Sequence, residues 1–176
     1  MTSIAPIIIA QAKMGLGYAE RLVSGVRPDQ FARLASPGGE TLKSNHPAFV
    51  FGHLALYPAK ALTLIGRPVP EAAKLSSNYD ELFKAGAECR DDADGKLYPP
   101  MDEVMRHFTD SYKAAIESIS TVDDETLLKP NPNEGRMKEL FPTIGAAVTF
   151  YLGGHVQMHL GQISAWRRAM GLAAAM

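Results

Sequence analysis

The chain has 176 residues, 46% of them hydrophobic and 21% charged, a size and balance suited to one domain that buries its own core without cross-links. Its 18 Lys and Arg against 19 Asp and Glu leave a formal net charge of −1, so no cationic excess is available to neutralise phosphates, and a nucleic-acid-binding role is disfavoured. A single cysteine, Cys89, rules out a disulfide framework within the chain and a cysteine-based zinc finger.

The apolar stretch Ile4–Ala10 is short, contains Pro6 and has no cation before it, so it reads as the start of a core helix and not as a secretory signal. No apolar run approaches the roughly 20 residues of a membrane span. The expectation is a soluble, cytoplasmic protein forming one domain over residues 1–176.

The first helix is predicted from about Ile4 to Gly25, with Ile8, Gln11, Ala12, Gly15, Ala19 and Leu22 at helical spacing and Pro6 in its first turn. Arg27-Pro28 breaks it, Asp29 to Leu34 allows a short helical turn, and Ser36-Pro37-Gly38-Gly39 forms a loop. A second helix begins at Pro47, with Asn45 or His46 as cap, and stops at Gly66. Pro58 lies inside it, where it removes a hydrogen bond to the carbonyl of Leu54 and predicts a kink about one turn after His53.

Residues 67–99 read as a mixed connection with a short helix from Tyr79 to Ala87. The acidic run Asp91-Asp92-Ala93-Asp94-Gly95 forms a turn and not a calcium loop. With Gly95 at the sixth position, Arg90 and Met101 occupy the first and twelfth, which require Asp and Glu. A third helix spans about Pro100 to Ser120, residues 121–141 read as a loop, and a fourth helix runs from near Pro142 to about Met170. With no convincing strand pattern, the fold class is all-α: a four-helix bundle with long connections.

Chemistry concentrates on the last helix. Its inner stripe reads Val148, Leu152, His155, His159, Gln162 and Trp166, placing two imidazoles and an amide where a bundle core expects aliphatic side chains. His155 and His159 are four residues apart, so their Cβ atoms lie about 6 Å apart on one face and both rings can reach one ion. No Glu follows the first His, which excludes the HExxH zinc-protease mechanism. His53 shares the inner stripe of the second helix with Val50, Tyr57 and Leu64 and is the candidate third ligand. Three neutral nitrogen donors suit zinc, nickel, copper or iron(II), and leave one coordination position open.

The combination of Gly52-His53-Leu54 with His155-x-x-x-His159-x-Gly161-Gln162 resembles the DinB/YfiT-like superfamily over most of the chain. The resemblance implies a four-helix bundle, often dimeric, with a three-histidine metal site at His53, His155 and His159. It also implies one of two activities, a metal-dependent hydrolase or a transferase or isomerase using a low-molecular-weight thiol. Where many relatives carry Trp four residues before the first ligand, this chain has Phe49, a packing position. The cofactor expected is a divalent transition metal, zinc or nickel foremost, with a small thiol as a second candidate. The partner expected is a small-molecule substrate, together with a second copy of the chain, which the apolar residues left over on the first and last helices also favour. The alternative is a non-catalytic bundle in which the ion locks two helices or reports metal availability.

Several side chains carry two readings. Gln162 either orients a histidine or a bound water, or packs between helices. Tyr57 either points its hydroxyl into the site or is a core aromatic. Cys89 lies beside Arg90, which would lower its pKa if the two were close; otherwise it is an ordinary loop cysteine. His107 reads as structural or surface-exposed, and His46 as a helix-start residue. Arg167-Arg168 complement the C-terminal end of the last helix dipole.

Overall fold

A computed structural model describes residues 3–175. The described residues are helical, with α1 over Ala5–Val23, α2 over Pro28–Phe31, α3 over Pro47–Ala55, α4 over Tyr57–Leu64 and α5 over Ser77–Phe83. These are followed by α6 over Met101–Ile119, α7 over Asp124–Leu128, α8 over Arg136–Leu140, α9 over Ile144–Thr149 and α10 over His155–Ala169. The only β pairing described is an isolated bridge between Pro130 and Thr143. No helix among the described residues is long and apolar enough to cross a membrane.

Four helical columns make the bundle: α1, α3 with α4, α6, and α9 with α10. On α6, Val104, Phe108, Ser111, Tyr112, Ala115 and Ile119 are buried, a spacing that keeps one stripe inward over the whole helix. That stripe packs on α3, α4 and α1. Every residue of α3 is buried, because α6 and α10 cover two sides of it and α5 covers a third. On α1, Ala5, Ile8, Ala12, Gly15, Ala19 and Leu22 face the core, whereas Gln11 is exposed.

The expected kink in the second helix is a break. The column divides at Leu56 into α3 and α4, since Pro58 offers no N–H to the carbonyl of Leu54 and its ring crowds that turn. The expected single fourth helix is also divided. A π-helical turn over Phe150–Gly154 separates α9 from α10, so the register changes immediately before His155. Gly153 explains part of the local sequence, because a Cβ there would fall 2.3 Å from Oε1 of Gln11 on α1. Gly154 is exposed and makes no comparable approach.

The region expected as a loop over 121–141 contains α7 and α8. Asp123 caps α7 by accepting from the N–H of Thr126 at 2.7 Å. The acidic turn behaves as expected: the Asp92 carboxylate accepts from the N–H groups of Lys96, Leu97 and Tyr98 at 2.9–3.1 Å. Arg167 does more than complement a dipole. It is buried, and its guanidinium donates to the carbonyls of Leu22 and Ser24 at 2.7 and 2.8 Å and to Ala173. It thereby supplies donors at the end of α1, where helix carbonyls lack intrahelical partners.

Candidate metal centre

His53 comes from the last turn of α3 and His155 from the first residue of α10, with His159 one turn further on. The tertiary fold brings their Nε2 atoms together. His155 Nε2 lies 3.3 Å from Nε2 of His53 and 3.1 Å from Nε2 of His159. One ligand atom from each residue lies within 4.8 Å of the others, and no fourth His, Cys, Asp or Glu joins the group among the described residues. His53 and His155 are buried and His159 is partly so.

The outer nitrogens settle the tautomers. His53 Nδ1 lies 2.7 Å from the carbonyl oxygen of Phe83 at the end of α5, and a carbonyl only accepts, so Nδ1 carries the proton and Nε2 a lone pair. His159 Nδ1 lies 3.1 Å from Oε1 of Gln162. That oxygen also accepts from Nδ2 of Asn45 at 3.1 Å, and in this arrangement His159 is the donor. Two inward lone pairs therefore face Nε2 of His155. Nδ1 of His155 is buried and has no partner.

This arrangement fits a divalent ion. With Zn–N bonds of about 2.0–2.1 Å, the edge of a tetrahedron between two nitrogens is about 3.3–3.4 Å. The separations of 3.3 and 3.1 Å from His155 to the other two rings lie close to it, and all three ligand atoms fall within 4.8 Å of one another. Protonation is also unfavourable here. Burial, aided by the neighbouring His159, His53 and the ammonium of Lys60, pushes the His155 pKa down to about 3. Burial also lowers the pKa of His53, with His159 and Lys60 adding to the effect, and lowers that of His159. All three rings are held neutral, the form that ligates metal.

Aromatic rings wall the cluster. The Tyr57 ring centroid is 4.1 Å from that of His155 and 5.0 Å from that of His53. Phe150, in the π-turn, is 5.4 Å from His155, and Phe141 stacks on Phe150 at 4.4 Å. Phe49 lies parallel to His53 at 6.3 Å, so the expected packing position borders a candidate ligand. Tyr57 contributes its ring as wall.

Gln162 makes the contact to His159 Nδ1 that its orienting reading calls for. Asn45, expected as a possible helix cap, instead donates to Gln162, and Phe83, which no motif singles out, holds His53 through its carbonyl. The cap is His46, whose Nδ1 accepts from the N–H of Phe49 at 3.2 Å. Phe83 lies thirty residues from His53, and nothing in local spacing points to it. The Gly52 of the motif was the available signal: a Cβ there would fall 2.4–2.5 Å from the Phe83 ring, so glycine lets α5 approach closely.

Other candidates fall outside the centre. His107 is half-buried on α6 near Glu103, with its ring against Tyr79. Of its two readings Cys89 takes that of an ordinary loop cysteine, because burial pushes its thiol up to about 11. A cavity of about 760 Å³ lined by Phe31, Tyr98, Pro99, Met101 and Met105 lies away from the histidines.

No curated protein matches the chain. The family model of the DinB superfamily matches residues 15–163, a span that begins within α1 and includes all three histidines. With that match over most of its length and an all-α fold that agrees with it, the chain belongs to the DinB superfamily.

Proposed function

We propose that the protein is a metal-dependent enzyme acting on a small molecule, either as a hydrolase or as a thiol-dependent transferase. His53, His155 and His159 would hold zinc or nickel through Nε2. The observation that carries this reading is the convergence of three neutral imidazoles, two of their Nε2 separations close to a tetrahedral edge and all ligand atoms within 4.8 Å, with no fourth His, Cys, Asp or Glu beside them among the described residues. Such an ion supplies Lewis acidity and lowers the pKa of a water or thiol bound to it.

The chain's own residues prepare the site. The Phe83 carbonyl and the Gln162 amide keep the outer nitrogens of His53 and His159 protonated, so their inner lone pairs stay available. Tyr57, Phe49 and Phe150 exclude water from the flanks of the imidazoles. A polar environment this limited strengthens charge interactions within it.

The test is elemental analysis of purified wild type and of a His155→Ala, His159→Ala double variant. The expected result is about one divalent transition metal per wild-type chain and little in the variant. Equal metal in both would overturn the ligand assignment. Cobalt substitution then separates functional classes. A visible spectrum that changes with small thiols or anions supports an accessible coordination position and an enzyme. An unchanging spectrum favours the structural or sensing reading.

A further inference from the structure

The divalent ion of the reading above, on which this inference rests, would sit among three neutral donors. No carboxylate belongs to the histidine group. The ammonium of Lys60 adds to the lowering of the His53 and His155 pKa values. Lys60 follows His53 by two turns and Tyr57 by three residues, so it shares their face of the α3–α4 column despite the break at Leu56. Its Nζ lies 4.6 Å from the centroid of the Tyr57 ring, and that ring borders His155 at 4.1 Å. Lys60 is exposed and forms no ion pair among the described residues.

An ammonium held on an aromatic face keeps its position without consuming its charge, because the ring quadrupole attracts it while leaving its N–H donors free. A dication and an ammonium beside a mostly apolar wall make a local excess of positive charge. The protein supplies no acidic side chain within the histidine group among the described residues to offset that positive charge, while Lys60 keeps its ammonium toward solvent. An anionic ligand would offset that charge. We propose that the site takes a small organic anion, with one donor atom toward the metal and its anionic group against Lys60, its body lying along Tyr57 and Phe150. Lys60 is then a specificity-determining residue that selects anionic over neutral substrates of the same shape.

The test compares two thiols of nearly equal size, 3-mercaptopropionate and its neutral analogue 3-mercaptopropionamide. Both are titrated into cobalt-loaded wild type, Lys60→Gln and Lys60→Arg, and binding is read from the visible absorption of cobalt. Cobalt content and the ligand-free spectrum are measured first for each protein. Wild type should bind the carboxylate about tenfold more tightly than the amide, a charge-assisted contact of ordinary strength. Lys60→Arg should keep most of that preference and Lys60→Gln should lose it. In wild type alone the preference should shrink as salt rises from low to about 1 M, because a partly exposed ion pair is screened. Equal binding of the two thiols by wild type, a preference insensitive to salt, or a preference that survives Lys60→Gln would each overturn the proposal. Wild type that takes up no cobalt would overturn the metal reading and this inference with it. Uptake without a preference for the carboxylate would overturn this inference alone.

Discussion

His53 donates from Nδ1 to the carbonyl oxygen of Phe83 at 2.7 Å, while the ring of the same Phe83 occupies the space a Cβ at Gly52 would need. One residue of α5 thus orients a candidate ligand with its backbone and reads the preceding glycine with its side chain. The Gly-His pair is a packing instruction as well as a chemical one.

Substituting Gly52→Ala should therefore disturb both. Overpacking at this site should cost about 1–3 kcal/mol of stability, and displacement of α5 should loosen the hold on His53 and weaken metal binding by about 10- to 100-fold. Denaturant unfolding and metal competition measure the two effects. A second change, Phe83→Leu in the Gly52→Ala background, should recover part of the stability by giving up ring volume. No recovery would mean that the clash is not with Phe83.

Gln162 holds His159 in the tautomer that points a lone pair inward, and Asn45 commits the Gln162 oxygen to that task. Gln162→Leu keeps the approximate volume and removes the acceptor. Metal affinity should fall about 10- to 100-fold with the helical content unchanged. Asn45→Ala should weaken affinity less, because it acts through Gln162. Nitrogen NMR of the His159 ring in metal-free protein should show loss of the Nδ1–H tautomer in the leucine variant. An unchanged tautomer would remove this role from Gln162.

His46 should make metal-free protein acid-sensitive. It is fully buried. Its Nδ1 accepts from the N–H of Phe49 and its Nε2 donates to the carbonyl of Arg90 at 2.9 Å, a pattern that requires the neutral ring. Burial lowers its pKa, against the opposing pull of the Arg90 carbonyl and the carboxylates Asp91 and Asp92. The folded pKa therefore lies below the unfolded value of about 6.5. Stability from this group is fully present above that value and is lost as pH falls through the window below it, by at most about 1.4 kcal/mol per pH unit for one proton. The neutral ligand histidines add in the same direction. Unfolding of metal-free wild type between pH 7.5 and 5 should show the loss. His46→Asn, which can cap a helix without titrating, should flatten the slope by about one proton. An identical slope in the variant would assign the acid sensitivity elsewhere.

The apolar side chains Ile7 and Met14 on α1 and Met158 on α10 are 56%, 58% and 66% exposed. The two helices run side by side in the same direction, since Gln11 meets Gly153, Gly15 meets Val156, and Arg167 reaches Leu22. We propose that this face pairs with a second copy of the chain. Sedimentation at micromolar concentration should give a dimer, and Met14→Glu with Met158→Glu should give a folded monomer. A monomeric wild type would defeat the proposal.

Much of the site was legible from the residues alone. Histidines four apart on an amphipathic helix must share a face, and His53 on the buried stripe of a second helix could face them, because helical periodicity is a property of the local chain. The all-α class, the helix starts near Pro6, Pro47 and Pro142, and the turn at Asp92 follow from equally local rules. What needed the tertiary structure depends on neighbours distant in sequence. The π-turn before His155 lies where Gly153 lets its own backbone approach Gln11 of α1, the Nδ1 proton of His53 is placed by a carbonyl thirty residues away, and Arg167 is buried because the end of α1 lies beside it. Local spacing sets which face a side chain occupies. Only the packing of helices sets which hydrogen-bond partners that face meets, and those partners determine the tautomer and charge of each imidazole.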